Sequence, residues 1–167
     1  FDTETDRLDP ITGRMIGMSF CYWPGEAYYV TVPLDLAEAQ PIVDEFREIL
    51  ENPNLTIIGQ NIKYDILILK SYGIEVKGQI FDTMLAHYLL EPDMRHNMDL
   101  LSETYLSYTP VSITELIGKK GKKEITMADL TPEEVFEYAS EDADVTLRLK
   151  NYFQPLLEKN GLMKLFT

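Results

Sequence analysis

"FDTETDRLD", residues 1–9, begins the chain with acids at alternating positions. In an extended strand successive side chains point to opposite faces. Asp2 and Glu4 therefore share one face, while Phe1, Thr3 and Thr5 take the other. Two carboxylates so placed lie roughly 7 Å apart, and they repel each other unless a cation, a donor or a proton sits between them. A strand that carries such a pair toward the interior needs the rest of the fold to supply the partner.

The stretches that follow tell what surrounds it. "MIGMSFCYW" (15–23) and "AYYVTVP" (27–33) read as two further strands joined by a turn at "PGE". In "EAQPIVDEFREILEN" (38–52), Ile42, Val43, Phe46, Ile49 and Leu50 recur at helical spacing. "LTIIGQ" (55–60) is a short buried strand, "NIKYDILILKSYG" (61–73) a helix ended by its "YG", "GQIFD" (78–82) a strand and "TMLAHYLLE" (83–91) a helix. Residues 92–130 are less regular, with a helix near 98–106 followed by polar, lysine-rich loops. The segment 130–153 is the clearest helix, with Thr131 as N-cap, Pro132 as first residue and Glu134 closing a capping box. A three-strand meander followed by alternating strands and helices predicts an α/β domain, a mixed five-stranded sheet with helices on its faces.

At 167 residues the chain fits one domain, residues 1–167, long enough to bury a core. Apolar runs are as short as "ILIL" (66–69), so no segment spans a bilayer, and no basic-then-apolar leader is visible. The single cysteine, Cys21, excludes an intramolecular disulfide and fits a reducing compartment. The first residue is Phe and already belongs to the predicted strand, which suggests a piece of a longer polypeptide. A net charge of −13 argues on its own against gripping a nucleic-acid backbone, which takes clustered Lys and Arg. The one basic cluster, "GKKGKK" (118–123), reads equally as a solvated loop or as a contact to phosphate.

On the last helix the apolar stripe runs Val135, Tyr138, Ala139, Asp142, Thr146, Leu149, Phe153. An acid sits where a hydrophobe belongs, and burying its charge uncompensated costs several kcal/mol or forces protonation. Tyr138 lies one turn before Asp142. It either orients a water or merely hydrogen-bonds a buried acid. Asp144, four residues before Arg148, reads as an exposed helix pair. Asp65 borders the buried side of its helix near the positive end. Asp82 in "FDT" reads as an N-cap and is left out of the site. Asp2, Glu4, Asp65 and Asp142 form an all-oxygen set that suits Mg²⁺ or Mn²⁺. Two such ions roughly 4 Å apart activate a water and stabilise a leaving oxygen. His87 and His96 look isolated, structural or exposed.

"FDTETD", "GQNIKYD", "FDTMLAHYLL" and "YASEDADVTLRL" resemble, in order and over nearly the whole chain, the proofreading 3′–5′ exonuclease domain of bacterial family A polymerases. Those domains belong to the DEDD exonucleases of ribonuclease H-like fold, and Tyr-x-x-x-Asp marks the DEDDy branch. The resemblance implies Asp2, Glu4, Asp65 and Asp142 as metal ligands for two divalent cations, Mg²⁺ or Mn²⁺, with Tyr138 orienting the nucleophilic water. It implies Leu8 as an apolar wedge against terminal bases, Thr3, Gln60, Asn61 and Tyr64 beside the bound strand, and Arg95 as a basic contact to it. Met127 departs from the family where members can place an aromatic, and an aromatic platform contributes about 1–3 kcal/mol per base. The implied partners are a single-stranded DNA 3′ end and a polymerase domain in the same polypeptide, in a monomeric protein of the bacterial cytoplasm, at the nucleoid. A ribonuclease D-like or Werner-like exonuclease, or a silent DNA-binding scaffold, are the alternatives.

Overall fold

The computed structural model describes residues 1–118 and 125–167, so the lysine run at 118–123 lies, Gly118 apart, outside the described residues. Five strands form within two residues of the predicted bounds: β1 (Asp2–Thr5), β2 (Met15–Trp23), β3 (Glu26–Thr31), β4 (Thr56–Gly59) and β5 (Gln79–Asp82). β1, β2 and β3 pair antiparallel, while β4 and β5 pair in parallel. The Phe1 nitrogen donates to the Ile58 carbonyl at 2.9 Å, setting the start of β1 against β4.

The helices are α1 (Leu36–Asp44), α2 (Arg47–Leu50), α3 (Lys63–Ser71), α4 (Thr83–Leu90), α5 (Met98–Leu101), α6 (Ile113–Ile117), α7 (Pro132–Lys159) and α8 (Met163–Phe166). Residues 38–52 are thus two helices and not one. At Phe46 the amide turns to the carbonyl three residues back, Val43, and the ring stacks on Phe20 of β2 with centroids 4.9 Å apart. The predicted helix near 98–106 begins as α5 and widens into a π-turn over Ser102–Leu106, which ends where Ser107 takes φ 53°. α7 begins with the Thr131–Glu134 capping box and runs past the predicted end through Pro155, which sits on its exposed side. A carbonyl freed there is open to water, so the helix survives the missing bond.

Two faces of the three-stranded sheet are covered. Met15 and Met18 point into a core with Val43 of α1 and Ile68 and Leu69 of α3. On the other face Ile16 packs with Val135 and Ala139 of α7. The β1–β2 register shifts between Glu4 and Thr5, and this irregularity turns Ile16 toward the face that Gly17 also takes. A Cβ at Gly17 would overlap the end of the Tyr29 ring, so a larger residue there would have to displace that side chain. Farther along α7, Leu149, Phe153 and Leu157 bury against Phe81, Ala86 and Leu101. Every position of the predicted stripe except half-buried Tyr138 is buried.

Two smaller expectations need correcting. Asp144 is no exposed pair: besides lying 2.8 Å from Arg148 Nε, it accepts from the Gly25 amide at 2.6 Å and so ties the β2–β3 turn to α7. His87 and His96 are not isolated. Their Nδ1 atoms lie 2.6 Å apart, and His87 Nε2 reaches the Tyr105 hydroxyl at 2.9 Å, in a position with no solvent exposure.

Candidate active site

β1 and α7 build the centre. Alternation places Asp2 and Glu4 on the face that α7 covers, and the stripe on α7 delivers Asp142 to the same place. One carboxylate oxygen from each of Asp2, Glu4 and Asp142 lies within 4.8 Å of the others. Burial raises Asp2 to about 6. Burial, then the neighbouring acids Asp2 and Asp142, push Glu4 well above the usual carboxylate range. Asp142 is raised likewise by burial and by Asp2, while its interaction with the Tyr138 hydroxyl pulls the other way. Burial and the same acids raise the Tyr138 phenol, which stays neutral. Three converging acids, with Glu4 Oε1 buried and without a hydrogen-bond partner, form a group that could hold a metal ion.

Asp65 is placed differently from the other acids. It stands in the first turn of α3, almost fully buried, and its Oδ1 accepts from both the Thr3 amide at 2.9 Å and the Thr3 hydroxyl at 2.6 Å. It is not one of the three acids whose oxygens converge, though burial and the Asp2 charge raise its pKa as well. The α3 start is itself pinned: Asp82 caps α4 as predicted and also accepts from the amides of Asn61 and Ile62, each at 3.1 Å.

A cleft of about 610 Å³ opens beside the acids. Leu8, 87% exposed, stands at it with Tyr64, Met127 and Tyr138. Tyr64 is fixed by its hydroxyl, which donates to the Arg7 carbonyl at 2.9 Å. Gln60, Asn61 and Arg95 are not among its lining residues. Gln60 instead donates to the His96 carbonyl at 2.7 Å, Asn61 holds a left-handed φ of 58°, and Arg95 is exposed. Sequence reasoning missed Ile113 and Ile117, which line the cleft from α6. The signal was present in "SITE" (112–115), a Ser N-cap followed by Glu, and Ser112 does accept from the Thr114 amide.

A sequence model described as 3′–5′ exonuclease matches residues 1–158. DNA polymerase I of Borreliella burgdorferi is 36% identical over 98% of this chain, and that of Pseudomonas aeruginosa 37% identical over 95%. The chain spans 18% of the length of each. Among solved structures, Brucella melitensis NrnC superposes with a TM-score of 0.76 at 23% identity, covering 98% of this chain and 74% of that one. The POL domain of Pol1 from M. smegmatis gives 0.68 at 16% identity, over 95% of this chain and 24% of that one. These two likenesses bear on the fold alone.

Proposed function

Since the chain belongs to the 3′–5′ exonuclease family, we propose that it hydrolyses the terminal phosphodiester of a DNA single strand, removing mispaired nucleotides as nucleoside 5′-monophosphates. The observation that carries this reading is the convergence of the Asp2, Glu4 and Asp142 oxygens beside an open cleft, with Glu4 Oε1 buried and unpaired.

Asp2, Glu4 and Asp142 would hold one Mg²⁺ or Mn²⁺, and Asp2 with Asp65 acting through water would hold a second. Bound there, the ions supply the positive charge that makes a water nucleophilic and eases departure of the 3′-oxygen. The chain's own groups do the rest. Tyr138, neutral and beside Asp142, presents its hydroxyl to the attacking water and aligns it with phosphorus. Leu8 is free to wedge against the terminal base, since so exposed an apolar side chain gains by covering. Met127 provides an apolar wall in place of an aromatic platform. Tyr64 and the neighbouring Thr3 shape the path of the strand, and Gln60, Asn61 and Arg95 act farther along it. Threading a single strand requires unpairing, which a mismatch makes cheaper, so frayed ends are preferred.

The family relatives carry this stretch within a DNA polymerase I, and a polymerase domain in the same polypeptide is the proposed partner. No helix among the described residues is long and apolar enough to cross a membrane; a bacterial cytoplasmic site near the nucleoid is part of the same proposal.

The test is digestion of matched DNA and RNA oligonucleotides with Mg²⁺ or Mn²⁺. Stepwise release of deoxynucleoside 5′-monophosphates from the 3′ end, faster from a mismatched primer, is expected. Equal or faster RNA cleavage overturns the substrate, and no nucleotide release overturns the activity. In the same assay Tyr138→Phe keeps the ring and loses the hydroxyl. It should slow cleavage roughly 10- to 100-fold, the low end for a group that handles a proton or its water, and less than loss of Asp142.

A further inference from the structure

We propose that Ser19 is a positioning residue of the carboxylate cluster, its hydroxyl holding Asp2 in the orientation that takes up a divalent cation. This rests on reading the cluster as a cation site.

Ser19 faces Asp2 in the β1–β2 register, as Gly17 faces Glu4. Side chains directly opposite in an antiparallel pair share a face, with Cβ atoms about 4.5–5.5 Å apart. The Ser19 hydroxyl therefore rises beside the Asp2 carboxyl, on the side that α7 covers. Ser19 has no solvent exposure, and its Oγ has no hydrogen-bond partner. An unpartnered buried hydroxyl is costly, and an alanine would fill the same place without the cost. On the same face lies a second orphan of opposite kind, Glu4 Oε1, an acceptor where Ser19 is a donor. Tyr29, opposite Ser19 on β3, does not meet the need. Its ring lies over Gly17, and its hydroxyl donates to the Ile16 carbonyl at 3.4 Å.

Loading the site would offer partners to both orphans. Asp2, Glu4 and Asp142 would each offer an oxygen to a cation, whose charge would favour the ionised form of Asp2. The serine rotor then turns and donates to the Asp2 oxygen that faces it. Metal-ligating carboxylates depend on such outer donors for their orientation. Ser19 touches neither substrate nor reacting atoms; it acts through Asp2.

The experiment titrates Mn²⁺ into wild type, Ser19→Ala and Ser19→Cys, following free Mn²⁺ by its paramagnetic resonance signal, with melting in metal-free buffer alongside. Ser19→Ala should melt at or above the wild-type temperature and bind Mn²⁺ roughly tenfold more weakly, the low end for loss of an outer partner. Ser19→Cys, which keeps a side chain of similar size but donates weakly, should bind as poorly, so lost packing is not the cause. Ser19→Ala or Ser19→Cys binding Mn²⁺ as wild type does overturns this inference alone. A wild type that takes up no Mn²⁺ overturns the cation site and this inference together.

Discussion

Asp142→Asn and Asp2→Asn should each cut nucleotide release by at least about 10³-fold, while the protein stays folded and melts higher without metal. The two effects have one origin. Half-buried Asp2 and buried Asp142 both raise Glu4's resistance to ionising, and Asp2 raises that of Asp142. Replacing either carboxylate by an amide of the same shape removes a repulsion from the metal-free fold and removes a ligand from the loaded one. Loss of roughly 4 kcal/mol of transition-state stabilisation corresponds to about a thousandfold in rate, within the several kcal/mol a metal site supplies. The pH dependence has a definite sign. Asp2 ionises at about 6 in the folded chain against 3.8 as a free side chain. Between those values the folded state holds the extra proton, so the Asp2 contribution to stability falls as pH rises through the window, and Glu4, Asp65 and Asp142, raised further, carry the fall above it. Metal-free wild type should therefore melt higher at about pH 5 than at about pH 7, with the slope reduced in Asp142→Asn and removed by saturating Mg²⁺. Calorimetry with and without chelator reads this directly. Both variants cutting at the wild-type rate would place the chemistry elsewhere.

Much of this centre was legible because the informative features are periodic. Alternation in "FDTETD" puts Asp2 and Glu4 on one face whatever the strand pairs with, and an acid inside a helical apolar stripe marks Asp142 before any contact is known. The capping box at Thr131–Glu134 set the start of α7 and hence the phase of that stripe. What stayed hidden depends on long-range register. Nothing local to "MIGMSFCYW" says that Ser19 and not Cys21 meets Asp2, since that follows from how β2 slides along β1. Asp65 was expected to reach the second ion only through water, and its direct protein partner could not be named in advance. Its Oδ1 accepts from Thr3, a partner 62 residues away that no spacing rule reveals. The His87–His96 contact joins the buried face of α4 to an irregular segment whose path has no periodicity to read. Asp144 was misjudged for a related reason: its i, i+4 spacing to Arg148 is real, but the Gly25 amide that also claims it comes from a distant turn.

Phe153→Ala should destabilise the domain by about 3–5 kcal/mol, the range for deleting a buried aromatic ring from a core that cannot collapse around the gap. Phe153 has no exposure and packs edge-on to Tyr105, with centroids 5.1 Å apart, and beside His87 at 5.5 Å. His87 is itself held on both ring nitrogens, by His96 and Tyr105. That network fixes the surroundings of the ring, so the cavity should persist and the loss should fall in the upper part of the range. For a domain of this size each kcal/mol moves the melting temperature by about 2–4 °C, giving a drop of about 6–20 °C. Activity should behave otherwise. Phe153 lies 11 residues beyond Asp142 on the same helix, about 16 Å along its axis, so cleavage measured well below the melting temperature should stay within about threefold of wild type. Denaturant unfolding gives the stability loss and the oligonucleotide assay the rate. A variant that kept its stability would show that the ring's neighbours close the gap. One that folded normally at low temperature but had lost cleavage would show that the two ends of α7 are coupled more tightly than their separation implies.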